Sequence, residues 1–574
     1  MGSVDELASF FERIADLDEI KGELRFKVLA YRRAAETIRS IGESVLGIDD
    51  VKKLRQFPGI GEGIAKKISE YNRTGLIARL EELKDEMPIE LVALLKIPNL
   101  GPRRAKLLYD ELGVRSVVDL QGAAEAHRIA GLKGLGPRVE QNILEGIRLM
   151  QAHAGRLLLP QAYQISGEIL GGLREALPGL VAERAGSLRR MKETVGDIDV
   201  LATWHSPKQL MEIFCGLPIV ERVIARGDTK SSILTREGIQ VDMRVVEADQ
   251  WGAALQYFTG SQPHNVRLRE IAKKKGLKVN EYGVFLVKNG EKLAGADETS
   301  VYEAMGLGTP PPELRENRGE LEAALEGTLP SLVGREDIAG DFHVHTQASD
   351  GYSSLEDMRE TASALGYAWL GITDHAENLK VARGLTTSKI LDQIEAIRAL
   401  NRKAGPYLLA ASELNIGNDG EVDYDEDVLA ELDFTIASIH GGFRQEREQL
   451  TRRMVQAMEN PHVRIIGHPT GRVIGQRPPY EVDMDAVLQR AAETGTALEL
   501  NSFPDRLDLA DEYLLRARQL GVKIALGSDA HRAEHLEYMF YGVATARRGW
   551  LEPEDVLNTM ALEQLLEWLR RPKM

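Results

Sequence analysis

The hydrophobic pattern of the chain changes twice, and no single fold class accommodates all three patterns. Up to about residue 155, apolar residues recur with helical periodicity in short stretches separated by glycines. From about residue 156 the pattern is that of strands with intervening helices, and beyond about residue 339 short apolar strands alternate with helices. A length of 574 residues also exceeds what one hydrophobic core supports. The sequence therefore predicts a multidomain protein.

Composition excludes several classes of protein. The single cysteine, Cys215, rules out a disulfide framework and a cysteine-based zinc site. No apolar run reaches membrane-spanning length, and the first residues, MGSVDELASFFERIADLDEI, are acidic and amphipathic, unlike a signal peptide. We therefore expect a cytoplasmic protein with no membrane partner.

The net charge of −16 is distributed unevenly along the chain. Residues 1–340 carry 47 basic and 50 acidic side chains, whereas residues 341–574 carry 25 and 38. Segments 51–150 and 261–290 have net charges of +4 and +5, and eight of the twelve histidines lie after residue 340. Mildly basic segments upstream suit contact with nucleic acid, and the acidic, histidine-rich region suits metal ions. Two different chemistries are joined in one chain.

Three glycine-containing joints between helices resemble one another. They read PGIGEGIAKKI (58–68), PNLGPRRAKLL (98–108) and KGLGPRVEQNI (133–143). Glycine permits the tight turn and lets a phosphate approach the N–H groups of the following helix. One copy would equally suit an ordinary turn between helices, but three copies resemble helix-hairpin-helix modules, which bind the DNA backbone without reading sequence. The glycines expected at the DNA are Gly59, Gly61, Gly101 and Gly136.

The stretch GDIDVLATW (196–204) places Asp197 and Asp199 on one face of a predicted strand. An isolated pair of this kind would suit a solvated edge strand. Just upstream, however, GSLRR supplies a helix start with Ser187 and Arg190 for a phosphate, and the strand GIQVDMRVV supplies Asp242. Three carboxylates beside a triphosphate-binding turn are typical of two-metal phosphoryl transfer.

The run Gly-Ser-x-Arg-Arg followed by Gly-Asp-x-Asp is similar to that of the family X DNA polymerases, the DNA polymerase beta-like group. The segment YFTGSQPHNVRLREIAKKKGLKVNEYGVF (257–285) resembles their nucleotide-binding and thumb region. The resemblance implies that Asp197 and Asp199 hold two ions, Mg²⁺ or Mn²⁺, and that Asp242 helps to activate the primer 3′-OH. The family's phosphate-binding arginine ahead of the palm has no aligned counterpart, and Arg156 is nearest to it. The implied nucleotide contacts are Ser187, Arg190, Gly196, Tyr257, Phe258, Gly260, Asn265 and Arg269.

The N-terminal segments FKVLAYRRAAETI (26–38) and GIGEGIAKKISEY (59–71) resemble the small DNA-binding domain that carries deoxyribose-phosphate lyase activity in this family. Lys67 falls at the position of the Schiff-base lysine. Gly63 replaces a lysine, and Phe26 replaces a histidine that binds a 5′-phosphate. A lysine on the solvated face of a helix is an equal alternative, so the sequence leaves the lyase step open.

In the last part of the chain, apolar strands end in histidine, glutamate or aspartate. In a barrel the carboxyl ends of the strands converge, so scattered ligands of this kind can meet. A single histidine after a strand is usually structural, but six of the eight histidines here occupy such positions. His462 and His535 fit no motif and are assigned structural roles. The motifs are DFHVHTQASDG (341–351), GITDHAE (371–377), ASELNI (411–416), ASIHGG (437–442), IGHPTGR (466–472) and LGSDAHR (526–532).

These motifs resemble the PHP phosphoesterase family over residues 339–574. The resemblance implies a distorted barrel with up to three Mn²⁺ or Zn²⁺ ions that hydrolyse a phosphodiester. The implied ligands are His343, His345, Glu413 and Asp529 for one ion, Asp350, His375 and His531 for a second, and the bridging Glu413 with His440 and His468 for a third.

The chain is thus identified as a bacterial-type family X DNA polymerase with a C-terminal PHP domain. The expected fold class is multidomain: an all-α helix-hairpin-helix region, an α+β nucleotidyltransferase palm with a thumb, and an α/β distorted (βα)7 PHP barrel. The expected domains are a small lyase-like DNA-binding domain (1–90), fingers (91–155), palm (156–260), thumb (261–315), linker (316–338) and PHP domain (339–574).

The function implied by the resemblance is the filling of short gaps in DNA repair, coupled to trimming of 3′ ends by a 3′-5′ exonuclease in the barrel. The expected partners are gapped, 5′-phosphorylated primer–template DNA and deoxynucleoside triphosphates. We expect a monomer that works at the nucleoid. The alternative is that the PHP barrel serves as a scaffold or a pyrophosphatase rather than as a nuclease.

Overall fold

The computed structural model describes residues 4–57, 60–95, 97, 100–153 and 155–573. The chain divides into two compact units, one formed by residues 1–154 with 475–478 and the other by 155–474 with 479–574. The main division falls where the sequence changes from a purely helical to a mixed pattern. None of the described helices is both long and apolar enough to cross a bilayer.

The described part of the first unit is helical, as predicted. Its first helix buries Leu7, Phe11 and Ile14, which lie on one face at helical spacing. The other helices pack around this apolar face in the same way. The helices are α1 (Val4–Lys21), α2 (Arg25–Ile41), α3 (Val51–Leu54), α4 (Glu62–Thr74), α5 (Ala78–Glu86), α6 (Leu91–Leu94), α7 (Pro102–Leu112), α8 (Val117–Glu125) and α9 (Pro137–His153).

The second unit begins with a five-stranded sheet that forms the palm. Its strand order is β2-β4-β7-β6-β5, and only the central pair β4 and β7 is parallel. Helices α10 and α12 cover the sheet through Leu170 and Phe214, which pack in one core with Ile198 of β4. The palm elements are β1 (Leu157–Leu158), α10 (Leu159–Ala176), β2 (Val181–Arg184), α11 (Gly186–Arg189), β3 (Thr194–Val195), β4 (Asp197–Thr203), α12 (Pro207–Cys215), β5 (Val220–Arg226), β6 (Lys230–Thr235), β7 (Gln240–Val245) and α13 (Trp251–Thr259).

The thumb region is a small α+β module after the palm. Its three strands form an antiparallel sheet in the order β10-β9-β8. Leu268, Val284 and Tyr302 join helices and sheet in one buried cluster. Its elements are α14 (Gln262–Lys274), β8 (Leu277–Asn280), β9 (Gly283–Leu286), β10 (Lys292–Ala294), α15 (Glu298–Glu303) and α16 (Glu320–Glu326).

The C-terminal part is a seven-stranded parallel barrel, which confirms the predicted fold class. The strands follow one another in chain order from β11 to β17. A parallel bridge between Val344 and Ala530 joins the first strand to the last at their carboxyl ends. The elements are β11 (Gly340–Val344), α17 (Leu355–Ala364), β12 (Trp369–Ile372), α18 (Thr387–Leu400), β13 (Tyr407–Asn415), α19 (Glu426–Leu429), β14 (Phe434–Ser438), α20 (Arg447–Ala457), β15 (Val463–Ile466), α21 (Met484–Thr494), β16 (Ala497–Asn501), α22 (Asp511–Gln519), β17 (Ile524–Gly527), α23 (Met539–Arg548) and α24 (Leu562–Arg570).

The interior of the barrel is apolar at one end and polar at the other. Phe342, Trp369 and Phe434 are buried inside, where the Phe342 ring meets each of the other two edge to face. Leu565 and Leu569 of α24 pack into the same cluster. Because this cluster fills the amino-terminal end, chemistry is confined to the carboxyl ends of the strands.

The segment expected to link thumb and barrel is folded. Its helix α16 buries Leu321 in the thumb core, while Val333 and Ile338 belong to the barrel core. Glu316 of this segment accepts hydrogen bonds from Arg190 of the palm (2.9 Å) and from Arg548 of α23 (3.2 Å). Palm, thumb and barrel are therefore joined by buried side chains rather than by a free tether.

Candidate active sites

The three palm acids lie side by side on the parallel strand pair. Asp199 of β4 is directly opposite Asp242 of β7, and Asp197 precedes it by two residues on the same face. Gly186 begins α11 with a φ of +60°, and a Cβ there would lie 2.2 Å from Asp199 Oδ2. Glycine at this position therefore lets the turn approach the carboxylates closely.

The electrostatics of this face suit divalent cations. Burial, together with the charges of Asp197 and Asp242, raises the pKa of Asp199 to about 6. Burial would raise the pKa of Asp242 as well, but hydrogen bonds from Gln240 (2.8 Å) and Ser232 and the ammonium of Lys230 lower it. The Lys230 Nζ atom lies 3.3 Å from Asp242 Oδ2 and so already places one positive charge at the site. The residues present fit a cation site.

The predicted triphosphate contacts lie around α11. Ser187 is half-buried in its first turn, and Gly196 immediately precedes β4. The Arg190 guanidinium donates to the Thr259 carbonyl (2.8 Å) and pairs with Glu316, so it is held at the junction with the thumb. The Arg156 guanidinium lies close to Gly196, because a Cβ atom added to this glycine would be 2.8 Å from Arg156 Nη1. Arg156 therefore lies at the edge of the site.

The residues expected near the sugar and base lie at the end of α13. Tyr257, Phe258 and Gly260 are half-buried there, and Arg269 is exposed on α14. The Asn265 amide donates to the carbonyls of Tyr257 (2.8 Å) and Gly260 (3.1 Å). Asn265 therefore holds the turn that carries the predicted sugar contacts.

The glycines of the helix-hairpin-helix joints stand where the sequence predicted them, ahead of helices. Gly61 and Gly101 cap the amino ends of α4 and α7, and Gly136 directly precedes α9. Gly59 lies outside the described residues. Lys67 is half-buried on α4 with its ammonium 5.6 Å from the centre of the Tyr31 ring.

The barrel brings all nine predicted ligands to the carboxyl ends of its strands. Three groups of these residues have ligand atoms within 4.8 Å of one another. Glu413 belongs to one group and adjoins the other two, because imidazoles of all three groups approach its carboxylate oxygens. The groups are His345, Asp350, His375 and His531; His343, His345 and Asp529; and His375, Glu413 and His440.

Glu413 is the centre of the barrel cluster. Its Oε1 atom lies 3.0 Å from both His440 Nε2 and His468 Nε2. Its Oε2 atom lies 2.9 Å from His375 Nδ1 and 3.5 Å from His343 Nε2. The structure thus places Glu413 where a carboxylate bridging several ions would stand.

Asp350 also reaches the cluster, from the loop after β11. Its carboxylate lies 3.5 Å from both His375 Nε2 and His531 Nε2. Asp374 fixes this loop by accepting hydrogen bonds from the Thr346 hydroxyl (2.6 Å) and the Ser349 hydroxyl (2.5 Å).

The donor set of the cluster fits metal ions. The Nε2 atoms of His343 and His345 face each other at 3.0 Å, so at most one proton can lie between them. Burial would raise the pKa of Glu413, yet the imidazoles of His440, His375 and His343 hold it well below its usual range. Buried, ionised carboxylates among facing imidazole nitrogens are the environment that Mn²⁺ and Zn²⁺ prefer.

Several residues that orient these ligands were missed by the sequence reasoning. Glu499 is fully buried and accepts hydrogen bonds from His343 Nδ1 (2.6 Å) and the His468 N–H (2.6 Å). The side chains of Asn415 and Asn501 hydrogen-bond His440 Nδ1 (2.8 Å) and Asp529 Oδ2 (3.0 Å). A signal was present: Glu499 and Asn501 are polar residues at alternate positions of an otherwise apolar strand, ALELN.

Models of four protein families match the chain. They are a helix-hairpin-helix domain over residues 4–77, a SAM-like helix-hairpin-helix tandem over 91–149, a DNA polymerase beta thumb over 254–316 and a PHP domain over 341–503. The matches cover most of the helical unit, the thumb, and the barrel from β11 to β16.

Curated relatives cover the whole chain or parts of it. A Bacillus subtilis (strain 168) protein named DNA polymerase/3'-5' exonuclease PolX is 40% identical over 569 residues, which is 99% of either chain. A Syntrophotalea carbinolica protein named Probable phosphatase is 31% identical over 239 residues, 40% of this chain and 95% of its own. Rattus norvegicus DNA polymerase lambda is 25% identical over 326 residues, 52% of this chain and 53% of its own.

Proposed function

Because this chain belongs to the family X DNA polymerases that carry a C-terminal PHP domain, we propose that it fills short gaps in DNA during base-excision or break repair. It is a DNA-directed DNA polymerase, and in this proposal its barrel trims 3′ ends as a 3′-5′ exonuclease. The observation that carries the proposal is that one chain holds both a carboxylate triad on a palm sheet and an imidazole–carboxylate cluster in a barrel.

In the palm, Asp197 and Asp199 would hold two Mg²⁺ or Mn²⁺ ions and Asp242 would share one of them. Such ions would neutralise the triphosphate and ease deprotonation of the primer 3′-OH. The 3′ oxygen bonds to the α-phosphorus while the bond to the leaving pyrophosphate breaks, and the hydroxyl proton passes towards Asp242. Ser187 and the N–H groups at the start of α11 would orient the phosphates. These residue roles are supported by the register of β4 and β7.

In the barrel, the nine converging residues would hold Mn²⁺ or Zn²⁺. Bound ions would supply a nucleophile from water at neutral pH and neutralise charge on the phosphate. Hydrolysis adds water across the phosphodiester, so a nucleoside 5′-monophosphate leaves and the shortened strand ends in a 3′-OH. Glu499 and Asn415 accept hydrogen bonds from the Nδ1 atoms of His343 and His440, respectively, and would thereby keep the proton on Nδ1 and the Nε2 lone pair directed at the centre of the cluster.

The helix-hairpin-helix modules of the first unit would supply affinity for DNA. Gly61, Gly101 and Gly136 leave the helix starts open to backbone phosphates, which suits binding without sequence preference. We propose that gapped, 5′-phosphorylated primer–template and deoxynucleoside triphosphates are the substrates, that the protein acts as a monomer, and that DNA binding places it at the nucleoid in the cytoplasm. Borohydride trapping of wild type and Lys67→Ala on a 5′-deoxyribose-phosphate end decides the lyase step.

A second candidate function for the barrel is phosphatase activity on a 3′-phosphate. It is favoured by the relative named Probable phosphatase, whose similarity covers 40% of this chain. A monoester needs only a free terminal phosphate near the cluster, whereas a diester also needs room for the next nucleotide.

The test is an extension and degradation assay with the full-length protein on DNA with a one-nucleotide gap and a 5′-phosphate. Substrates end in a 3′-OH or a 3′-phosphate, and Mg²⁺, Mn²⁺ and Zn²⁺ are compared. We expect one-nucleotide extension when triphosphates are present and stepwise release of nucleoside 5′-monophosphates when they are absent. Extension without release of nucleotides or phosphate from either substrate would leave the barrel as a scaffold. Release of phosphate alone from the 3′-phosphate end would assign a phosphatase.

A further inference from the structure

The loop after β16 is fixed to the barrel cluster by hydrogen bonds. The Asn501 side chain donates to Asp529 Oδ2 (3.0 Å) and accepts from the Phe503 N–H (3.0 Å). Asn501 and Asp508 also exchange backbone hydrogen bonds of 2.6 and 3.2 Å, which close the loop. The position of Phe503 relative to the predicted ligand Asp529 is therefore set by the fold.

This loop aims an arginine at the cluster. The Nε atom of Arg506 lies 3.6 Å from Asp529 Oδ2. Its Nη1 atom is buried and has no hydrogen-bond partner among the residues that the structure describes. Arg472 holds the loop from behind by donating to the Arg506 carbonyl (2.9 Å). The Arg506 side chain is half-buried, with 24% of its surface exposed, and a guanidinium with a spare donor beside such a cluster suits an anionic oxygen of a phosphate.

Phe503, whose carbonyl accepts a hydrogen bond from the Arg506 N–H (2.8 Å), forms with His535 and Tyr538 what we call the aromatic corner. Phe503 meets His535 and Tyr538 edge to face, with centroids 5.5 and 5.2 Å away, and His535 stacks on Tyr538 at 4.8 Å. All three are half-buried, unlike the fully enclosed rings at the other end of the barrel. His535 belongs to the turn that follows the predicted ligand His531, whose N–H donates to His535 Nδ1 (3.4 Å).

We propose that the aromatic corner and Arg506 form a subsite for the 3′-terminal nucleotide of a DNA strand. The Arg506 guanidinium contacts the scissile phosphodiester, and Phe503 and Tyr538 receive the base on their rings. Phe503 and Arg506 lie on the loop after β16, and His535 and Tyr538 lie on the turn after the neighbouring strand β17, so the loops of two adjacent strands would hold the base and the phosphate. This subsite rests on the exonuclease function proposed above. Stacking tolerates every base, so removal of nucleotides is independent of sequence.

Stacking is measured first, without hydrolysis. A gapped duplex with 2-aminopurine as the unpaired 3′-terminal base is titrated with full-length protein in EDTA. We expect quenching by wild type and by Tyr407→Leu, a control at the opposite end of the same barrel. The double variant Phe503→Leu/Tyr538→Leu is expected to bind the duplex as tightly but to lose most of the quenching. Equal quenching by the double variant and wild type overturns the subsite.

Steady-state kinetics then distinguish the contribution of the rings, which is expected in KM, from that of Arg506, which is expected in kcat. With Mn²⁺, wild type should show a KM about tenfold lower for a terminal nucleotide with a base than for an abasic terminal nucleotide, and the double variant should show no difference. Arg506→Ala should lower kcat about a hundredfold on both ends, with partial recovery in Arg506→Lys, while Arg398→Ala on the surface should have no effect. Equal KM values for both ends in wild type would refute the subsite and leave the exonuclease intact. Failure of wild type to release nucleotides with any metal would refute the exonuclease, whereas the quenching experiment still decides the subsite.

Discussion

The palm and the barrel hold their acidic groups in opposite ways. Asp197 is exposed and Asp199 and Asp242 are half-buried at the open edge of a sheet, with Lys230 as the nearest positive partner. In the barrel, Glu413 and Asp529 are almost completely buried, and imidazoles surround them. The palm therefore presents an excess of negative charge that Lys230 compensates only in part, whereas the barrel balances its charges internally.

This difference predicts different relations to metal ions. An open carboxylate triad gains most when ions arrive together with a triphosphate, so its ions should exchange with each turnover. A buried cluster whose ligands are already oriented by hydrogen bonds should keep its ions through many turnovers. We therefore expect the palm to bind its full set of ions only together with the triphosphate, and the barrel to bind its ions before any substrate is present.

The largest effect is expected when one carboxylate of the palm is removed, which tests whether the palm and barrel sites act independently. Asp242→Ala loses a ligand and misplaces the 3′-OH, so extension should fall roughly a thousandfold or more. Release of nucleotides by the barrel should stay within about twofold, because the barrel keeps all of its ligands. Single-turnover extension and degradation are measured on both proteins, with the exposed Asp228→Ala as control and melting temperature as the check on folding. Parallel loss of both activities without unfolding would show that the sites are not separable.

The converse variant removes ligands from the barrel. His343→Ala/His345→Ala deletes two fully buried imidazoles and should lower hydrolysis at least a hundredfold while extension stays unchanged. Bound metal, measured after dialysis, should fall with hydrolysis. His462→Ala removes a histidine that lies in none of the groups of potential metal ligands and should retain both. Loss of extension in the double variant at unchanged melting temperature would mean that the palm depends on the barrel.

The residues behind the ligands give a smaller effect. Glu499→Gln weakens the hydrogen bond that orients His343, so the affinity of the barrel for its metal should fall about 10- to 100-fold. Metal content after timed dialysis against a chelator should decline faster than in wild type, while the exposed Glu481→Gln should match wild type. An unchanged rate of metal loss would argue that the barrel does not orient its ligands in advance.

The smallest expected effect concerns pH at the palm. The pKa of Asp199 is raised to about 6 by burial and by its two neighbouring acids, so this carboxyl takes up a proton as the pH falls through 6. Mg²⁺ needs the ionised form, and the apparent Mg²⁺ affinity in extension should weaken about tenfold between pH 7 and pH 5. Magnesium titrations of single-turnover extension at both pH values provide the measurement, with Asp228→Asn expected to follow wild type. An Mg²⁺ affinity that is the same at pH 7 and pH 5 would mean that neighbouring groups already neutralise the negative charge of the three palm carboxylates.

The local sequence alone identified most of the candidate metal ligands in both sites. The spacing of Asp197 and Asp199 and the HVH pair at 343–345 are visible because a strand repeats every two residues, so one-face ligands appear at alternate positions. The change from helical to alternating patterns predicted an all-α region followed by α+β and α/β regions, and the structure confirms this order. The seven-stranded barrel was expected from the resemblance of the strand-end motifs to the PHP family, and the structure confirms it.

Only the tertiary structure decided which distant residues serve those ligands. The partners Arg190 and Glu316 are 126 residues apart, and His343 and Glu499 are 156 apart. Residues 316–338 were predicted as a linker, yet part of this segment packs in two cores. The physical reason is the range of the forces involved. The periods of strands and helices are set by neighbouring residues and are therefore visible in the sequence. An ion pair, a hydrogen bond to a buried imidazole or a ring contact joins residues far apart in the sequence, so it exists only in the folded chain.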